Sequence, residues 1–427
     1  MSKRVGRLTR EERSWVLYDV ANSAFTLIIV TTIMPIFFSN VASAGIPANR
    51  STALWGYTSA IASLILAVAA PVLGAMGDYR GNKRRLFLTF VGSGVGITFL
   101  FATIGEGMAA YALVLFTIGF VAYAGANLIY DSFLTDVTTN ERMDSVSTRG
   151  FAWGYIGSVV PFILVLALSL YPDIVGGALT ATRISFAITG TWWLGFSIPM
   201  ARNVRQHHGV EPDPHPVLDA FRRVASTFKQ IRRHREASVF LLAYFFYIDG
   251  VDTIIRMATS YATEIGFAQA QLIVVILAIQ VVAFPFALLY GGLAKRFGTK
   301  PMLFTGIGVY FVIVVLGFFL PVLPSGQVQN TVFWIMAMLV ATSQGGIQAL
   351  SRSYFGALIP KNESGKFFGF YNIFGKFAAI IGPLLLGLLA DITGESRWGV
   401  LSLALLFAIG AVLLARVHKE DATSAPT

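Results

Sequence analysis

Twelve apolar runs, each about 20 residues long, limit the folds open to this chain more than any other feature. A bilayer core is crossed by about 20 apolar helical residues, and a helix in lipid satisfies its backbone hydrogen bonds within its own segment. The sequence therefore predicts an all-α membrane protein with twelve transmembrane helices. The runs lie near residues 14–39, 53–75, 86–105, 110–131, 149–170, 184–200, 238–262, 270–292, 301–321, 330–351, 367–390 and 399–415.

Positive charge is concentrated on one side of these predicted helices. Of the 32 Lys and Arg residues, 27 lie on the side of the N-terminus, whereas only Arg50, Arg183 and Arg397 lie on the other. By the positive-inside rule, both termini are predicted to be cytoplasmic. The lipid bilayer is therefore the partner that accounts for the formal net charge of +10, and no nucleic-acid partner is expected.

One long polar connection, residues 201–237, separates six apolar runs from the other six. It predicts an N-terminal six-helix bundle at 1–200 and a C-terminal bundle at 238–427. Three prolines within 212–216 indicate a loop. Apolar residues then recur at helical spacing opposite basic ones through 217–233, which is typical of an amphipathic helix on a membrane surface. The alternative interpretation is a regulatory or partner-binding segment.

The two halves of the sequence share repeated motifs. Matched positions at an offset of 217 residues are Gly74 with Gly291, Gly81 with Gly298 and Lys83 with Lys300. A second set, at an offset of 221 residues, consists of Gly125 with Gly346, Asn127 with Gln348, Asp131 with Arg352 and Ser132 with Ser353. Internal repeats of this kind are typical of secondary transporters, whose sites lie near the bilayer midplane.

The loop after the second run has the pattern G-x-x-x-D-x-x-G-x-K and resembles the loop signature of the major facilitator superfamily. The resemblance implies two pseudo-symmetric six-helix bundles that move against each other around a midplane site. Glycine permits a tight turn and close helix approach, while Asp78 can accept hydrogen bonds from a neighbouring helix N-terminus and the basic cluster. We therefore expect a gating loop that holds one conformation closed. Its residues are Gly74, Asp78, Arg80, Gly81 and Lys83.

Three further segments resemble the vacuole-effluxer-like branch of that superfamily. They are residues 15–25 (WVLYDVANSAF), 247–250 (YIDG) and 374–376 (FGK), the last followed by Gly-Pro at 382–383. That branch includes fungal autophagy-related permeases that export amino acids from the vacuole, and many bacterial members. The resemblance implies a bacterial-type amino-acid transporter in the inner (plasma) membrane. Within 130–136, Asp and Thr stand where the branch has Asn and Pro.

Charged residues near the bilayer midplane are the best candidates for proton coupling. A charged side chain at a helix centre costs roughly 2.5–3.5 kcal/mol to insert, so it needs a partner or a wet cavity. The candidates are Asp249, Asp252, Arg256, Lys376 and Asp19. Asp249, Asp252 and Arg256 share one helical face, on which Asp252 and Arg256 are spaced to pair. We expect Asp249 to carry the proton, with Asp252 or Asp19 as the alternative.

Uncharged polar residues on the first, fourth, seventh and tenth runs are predicted to bind substrate, because these helices line the cavity in the superfamily that the chain resembles. They are Asn22, Tyr123, Asn127, Tyr247, Gln344 and Gln348. Carboxylates and cations in one lining suit a zwitterion such as a neutral amino acid. The alternative for each uncharged residue is an interhelical hydrogen bond that only holds helices together.

Enzymatic function is not predicted. The chain has no Cys, its five His lie outside the apolar runs, and it has no Walker A pattern, so neither a metal site nor a cofactor is expected. The sequence predicts a monomeric secondary transporter that moves a small polar metabolite, with protons as the coupling ion. A drug or metabolite exporter of the same fold, or a membrane scaffold or sensor without transport, remains the alternative.

Overall fold

The computed structural model describes residues 7–211, 234–267, 269–324 and 326–418, and each predicted apolar run corresponds to a long helical segment there. In chain order the helices are α1 Arg10–Phe25, α2 Ala48–Gly77, α3 Asn82–Leu100, α4 Ala109–Ser132, α5 Asn140–Leu170, α6 Ala178–Asn203, α7 Arg235–Ile265, α8 Gln269–Phe297, α9 Thr299–Phe319, α10 Gln327–Leu358, α11 Ser364–Thr393 and α12 Ser396–Ala415. Within the described residues, ten helical segments are long and apolar enough to cross a membrane. Helices α6 and α11 are not among these ten.

Most helices extend beyond the apolar runs that predicted them. Helix α5 begins at Asn140, whereas its apolar run begins near residue 149. Hydropathy marks only the part of a helix that is suited to lipid, and polar residues extend the helix beyond that part. The first run is also not one α-helix. It continues from α1 through π-helical turns at Thr26–Ile33 and Phe38–Ala42, with a short α-helix between them. The predicted amphipathic helix within 217–233 lies outside the described residues.

The chain forms two compact units. The first comprises the described residues of Met1–Thr139, Trp153–Ala220 and Lys361–Gly369, and the second comprises those of Asn140–Ala152, Phe221–Pro360 and Phe370–Thr427. The division follows the two halves of the sequence except at two helix starts. The first turns of α5 belong to the second unit, and the first turns of α11 belong to the first unit.

Helix packing repeats from one unit to the other. In the first unit, α1 packs with α6, α2 with α4, and α3 with both α4 and α6. In the second unit, α7 packs with α12, α8 with α10, and α9 with both α10 and α12. When six is added to both helix numbers of a pair in the first unit, the result is a pair that packs together in the second unit. The sequence repeat is therefore also a repeat of helix packing.

Candidate functional site

A buried carboxylate at the end of α2 binds the start of α11. Asp78 accepts a hydrogen bond from the backbone N–H of Gly365 (2.7 Å) and another from that of Lys366 (2.8 Å). The first N–H groups of a helix have no partner within the helix and carry partial positive charge, so a carboxylate there is stabilising. We call this pair of bonds the latch. It lies within the first unit.

The latch depends on close approach of two glycines. A Cβ atom at Gly74 would overlap the backbone carbonyl of Gly365, and a Cβ atom at Gly365 would overlap that of Gly74. Gly81 serves a different purpose, because it has φ +77° at the turn before α3, a conformation that favours glycine. The two motif glycines thus meet separate requirements: Gly74 provides space and Gly81 provides backbone freedom.

Burial raises the pKa of Asp78 to about 7. The positive charge of Lys83 and the N–H groups of Lys366 and Gly365 act in the opposite direction, while the charge of Glu363 adds to the increase. The carboxyl therefore titrates near neutral pH. Proton uptake would weaken its ability to accept both backbone hydrogen bonds.

Lys83, the lysine of the same motif, is fully buried and forms an ion pair with Asp136. Its Nζ lies 2.7 Å from Oδ2 of Asp136, and the side chains of both residues are 0% exposed. The same Nζ donates to Ser364 Oγ (2.8 Å) and to the carbonyl of Ser132 (3.2 Å). Lys83 therefore joins the end of α4 to the start of α11, next to the latch. Arg80, by contrast, is exposed and pairs with Glu211 at 2.9 Å.

The segment after α6 completes the surroundings of Asp136. Oδ1 of Asp136 accepts hydrogen bonds from the backbone N–H groups of His207 (2.9 Å) and His208 (2.7 Å), and the ring of His208 lies 3.1 Å away. Gln206 accepts from the backbone N–H of Lys83 (3.2 Å) and donates to the carbonyl of Gly77 (3.2 Å). Residues 204–211 thus form a strap across the motif loop. Asp136 is the central residue of this site, and sequence reasoning missed it.

The second copy of the motif makes different contacts. Gly298 again has positive φ (+92°), and a Cβ atom at Gly291 would overlap Thr148 at the start of α5, so the glycine geometry is repeated. Lys300, however, donates to the carbonyls of Ala415 (2.9 Å) and Val417 (2.7 Å) at the end of α12. Sequence explains the difference, because the repeat offset of 221 residues places Ala357 where the first half has Asp136.

A second charged centre in the second unit accompanies this copy. Asp144 accepts hydrogen bonds from the hydroxyls of Thr299 and Ser353, both at 2.5 Å. The buried Arg352 donates from Nε to Ser147 Oγ (2.9 Å) and lies over the ring of Phe151 (4.5 Å). The start of α5 is therefore bonded through side chains to α9 and α10, whereas the start of α11 is bonded to the end of α2 and to α3.

Polar side chains of α1 and α4 meet within the first unit. The hydroxyls of Thr26 and Tyr123 lie 2.5 Å apart, and Asn22 donates to Asp19 Oδ1 at 3.3 Å. Asn127 follows Tyr123 by one helical turn, and its buried Oδ1 has no hydrogen-bond partner within the described part of the chain. We call Asp19, Asn22, Thr26, Tyr123 and Asn127 the polar cluster. It contains four predicted site residues, and Thr26 is a further member.

The polar cluster lies where α1 changes into π-helix. The π-helical turns begin at Thr26, and the hydroxyls of Thr31 and Thr32 donate five residues back, to the carbonyls of Thr26 (2.9 Å) and Leu27 (2.6 Å). π-Helical turns occur frequently at functional sites. Hydropathy does not distinguish π-helix from α-helix, so sequence reasoning had no signal for this feature.

Aromatic residues of the first run pack inside the first unit. Trp15 is fully buried, stacks on Tyr130 with ring centroids 4.4 Å apart, and donates to the Tyr130 carbonyl at 2.9 Å. Tyr18 packs against the ring of Phe87 at 4.9 Å. These contacts give the WVLYD motif a structural purpose, since they fix the start of α1 against α3 and the end of α4.

Asp249 is fully buried in the second unit and binds α11. Its two carboxylate oxygens each lie 3.0 Å from the backbone N–H of Gly382, and Thr253 donates to Oδ1 at 3.3 Å. A Cβ atom at Gly382 would overlap Thr253 Oγ1, so glycine is needed for this approach. Pro383 follows inside the helix and cannot donate a hydrogen bond from its own nitrogen. Asp249 therefore contacts α11 beside its proline.

The other predicted site residues of the second unit are placed as follows. Tyr247 is fully buried, and its hydroxyl lies 2.6 Å from Ser351 Oγ, which is an interhelical hydrogen bond between α7 and α10. Gln344 is buried on α10, and Gln348 lies one turn later, partly exposed. Asp252 is partly exposed on α7. The backbones of Arg256 and Lys376 lie in α7 and α11, but their side chains are outside the described part of the structure.

A family model described as "Vacuole effluxer Atg22 like" matches residues 8–142 and 135–425. The chain belongs to this family. It is 47% identical over 422 residues to the uncharacterized MFS-type transporter YxiO of Bacillus subtilis (strain 168), covering 98% of this chain and 97% of that protein. Autophagy-related protein 22 of Cryptococcus neoformans var. neoformans serotype D (strain B-3501A) is 28% identical over 309 residues, covering 68% of this chain and 55% of the fungal protein.

Solved structures show the fold of this Atg22-like chain. The proton:xylose symporter XylE bound to 6-bromo-6-deoxy-D-glucose matches with a TM-score of 0.71 at 13% identity, covering 96% of this chain and 95% of that one. FucP in the outward conformation matches with a TM-score of 0.70 at 15% identity, covering 95% and 98%. The predicted major facilitator fold is confirmed. This Atg22-like protein is an integral multi-pass membrane protein of a transporter family, in agreement with the prediction that it is not an enzyme.

Proposed function

We propose that this chain is a proton-coupled secondary transporter of neutral amino acids that works by alternating access and exports its substrate. The proposal is carried by Oδ1 of Asn127 in the polar cluster, which has no hydrogen-bond partner among the residues that the structure describes. A buried amide oxygen without a partner costs free energy unless a ligand or water supplies a donor, and the ammonium group of an amino acid is such a donor. Asp19, in the same cluster, adds the negative charge that an ammonium group prefers.

The substrate carboxylate is assigned to the predicted midplane cations. Arg256 and Lys376 are the basic residues that the sequence places inside apolar runs, and a carboxylate binds such cations through charge-assisted hydrogen bonds. An amino acid carries both an ammonium group and a carboxylate, and the chain offers carboxylates and cations that suit such a zwitterion. The family description, "Vacuole effluxer Atg22 like", supports export as the direction of transport.

Proton coupling is assigned to Asp249. This carboxylate is fully buried, and its described hydrogen bonds come from one backbone N–H and one hydroxyl. A movement of α11 that withdrew the Gly382 N–H would remove most of this stabilisation, so the carboxylate would then take up a proton. Proton uptake and helix movement would be coupled through these two atoms.

The decisive experiment measures transport by purified protein in proteoliposomes with labelled neutral amino acids. Wild-type protein should concentrate substrate when a pH gradient is imposed. Asp249→Asn should abolish this accumulation but retain exchange of substrate across the membrane, because exchange needs no net proton movement. Asp173→Asn is the matched control, since Asp173 is an exposed acid outside the long helices, and it should behave as wild type.

A second variant tests the substrate contact. Asn127→Ala should raise the half-saturation concentration for amino acids by about tenfold, the effect of losing one hydrogen bond to a charged group. Asn330→Ala, at an exposed residue of α10, is its control. Accumulation by Asp249→Asn protein would contradict the coupling assignment. Absence of amino-acid flux in the wild type would contradict the transport proposal and favour a scaffold or a transporter of other metabolites.

A further inference from the structure

An apolar groove of about 530 Å³ lies between α1 and α6 in the first unit. Its lining consists of Leu17 on α1 and of Ile184, Ala187, Ile188, Thr191, Trp192, Gly195, Phe196 and Pro199 on α6. Pockets of this size, roughly 300–1,000 Å³, hold small molecules. The site is separate from the latch and the polar cluster, so it does not depend on the proposed function.

Basic residues lie at one end of this groove, on both of the helices that form it. Arg10 and Arg13 precede Leu17 at spacings of seven and four residues, which places all three on one face of α1. Arg202 follows Pro199 by three residues on the corresponding face of α6. All three arginines are exposed. The groove is thus apolar along its length and positively charged where α1 begins and α6 ends.

The structure fixes these two helix ends next to each other. Asn203 at the end of α6 donates to Ser14 Oγ near the start of α1 (2.9 Å), and the indole N–H of Trp192 donates to the Val20 carbonyl (3.3 Å). The acidic residues at the start of α1 are turned to other partners: Glu11 pairs with His207 (3.1 Å), and Glu12 accepts from Thr138 (2.8 Å). The basic face of α1 therefore keeps its positive charge.

We propose that this groove binds one phospholipid with an anionic headgroup. Its acyl chain would lie along the apolar lining beside Trp192, and its phosphate would lie between the guanidinium groups of Arg10, Arg13 and Arg202. Arginine is well suited to this contact because its planar guanidinium binds phosphate oxygens in pairs. Basic pockets between helices at the cytoplasmic face of a membrane bind anionic headgroups, and the positive-inside rule predicts that this end is cytoplasmic.

Trp192 provides a direct probe of the bound acyl chain. Full-length protein is reconstituted into phosphatidylcholine vesicles that contain brominated acyl chains on either phosphatidylglycerol or phosphatidylcholine, at equal mole fractions of brominated lipid. The Trp192 signal is the difference between wild-type and Trp192→Phe fluorescence. Brominated phosphatidylglycerol should quench this signal more strongly than brominated phosphatidylcholine does. Equal quenching by the two lipids would overturn the proposal.

Two sets of variants separate the headgroup contact from the acyl-chain contact. Removing Arg10, Arg13 and Arg202 by substitution with Gln should reduce the preference for phosphatidylglycerol by about fivefold for each guanidinium lost. The matched control substitutes three exposed basic residues elsewhere, Lys295, Arg296 and Arg416, with Gln and should keep the preference. A preference that survives in the first variant would overturn the proposal.

A glycine in the lining allows the groove to be filled without altering charge. A Cβ atom at Gly195 would have no neighbour within 4 Å, so Gly195→Leu places its side chain in open space in the groove. It should reduce quenching of Trp192 by both lipids. Gly92→Leu on α3, also in open space, is the control. Unchanged quenching in Gly195→Leu protein would show that no acyl chain occupies the groove, and it would overturn the proposal even if the arginine variant fails to fold.

Discussion

Lys83 and Asp136 form a fully buried ion pair, with 2.7 Å between Nζ and Oδ2, although they are 53 residues apart in sequence. Taking two charges out of water is costly, and the cost is offset here by further hydrogen bonds at both ends. Lys83 donates to Ser364 and Ser132, while Asp136 accepts from the strap. The pair therefore holds together four segments of the chain: the start of α3, the end of α4, the start of α11 and the strap.

Removing one partner of this pair should be strongly destabilising. Lys83→Met or Asp136→Leu alone leaves a buried charge without its ion-pair partner, at a cost of about 3–5 kcal/mol in the free energy of unfolding. The double variant leaves no charge and should recover most of this loss. Denaturation of the purified single and double variants, compared as a double-mutant cycle, measures the effect. Additive losses in the double variant would show that the two charges do not interact.

The pH dependence of stability should reveal Asp78. Because burial raises its pKa from 3.8 to about 7, the folded protein binds this proton more tightly than the unfolded chain does. The stability that this proton contributes is fully present below the unfolded pKa and is lost as pH rises through about 7. The difference in melting temperature, wild type minus Asp78→Asn, should therefore decrease as pH rises from about 4 to about 7 and then stay constant. A difference that does not vary with pH would contradict the assignment.

Asp78→Asn should also impair the transport cycle more than it impairs folding. The substitution keeps the shape of the side chain but removes the charge that favours the start of α11. We expect normal expression and membrane insertion with reduced flux in proteoliposomes. Arg80→Gln is the comparison within the same loop, because Arg80 forms only the exposed ion pair with Glu211, and surface pairs of this kind contribute little. Full transport by Asp78→Asn protein would mean that the latch is not part of the cycle.

The same chemical change should have opposite effects at two glycines. Gly74→Ala forces α2 away from the start of α11 and should destabilise the protein by roughly 1–3 kcal/mol. Gly92→Ala on α3 meets open space and should stabilise by up to about 1 kcal/mol, because alanine is the better helix former. Thermal unfolding of the two variants tests the prediction. Equal shifts of the same sign would show that the Gly74 contact does not limit the packing.

The topology prediction is checked with reporter fusions. A reporter at Thr427 and another inserted within residues 201–237 should both be cytoplasmic, since 27 of the 32 basic residues lie on this side. A third reporter near Arg183, on the sparsely charged side, should lie on the opposite face. A periplasmic signal at Thr427 or within 201–237 would contradict the span count.

Sequence reasoning predicted the motif loop and the contact of Asp78 with a helix N-terminus, but it missed the partner of Lys83. The repeated spacing identified Gly74, Gly81 and Lys83, and the loop signature added Asp78, because glycine and charge at fixed positions leave a local signal. It treated Asp136 only as part of a segment that departs from the family pattern, whereas this residue is the partner of Lys83. No local pattern connects the two residues, since the ion pair depends on how α3 and α4 pack.

By itself, the sequence determined the apolar helices, because lipid solvation acts on each segment separately and leaves its mark in local composition. The repeat and the family were determined by motif residues at fixed spacing. Only the tertiary structure decided which polar groups have partners. Lys83 is bonded to residues 49, 53 and 281 positions away, and Asp249 binds a backbone N–H 133 positions away. A buried polar group is stabilised by whichever donor or acceptor the packing brings to it, so its role is set by geometry that hydropathy and spacing do not contain.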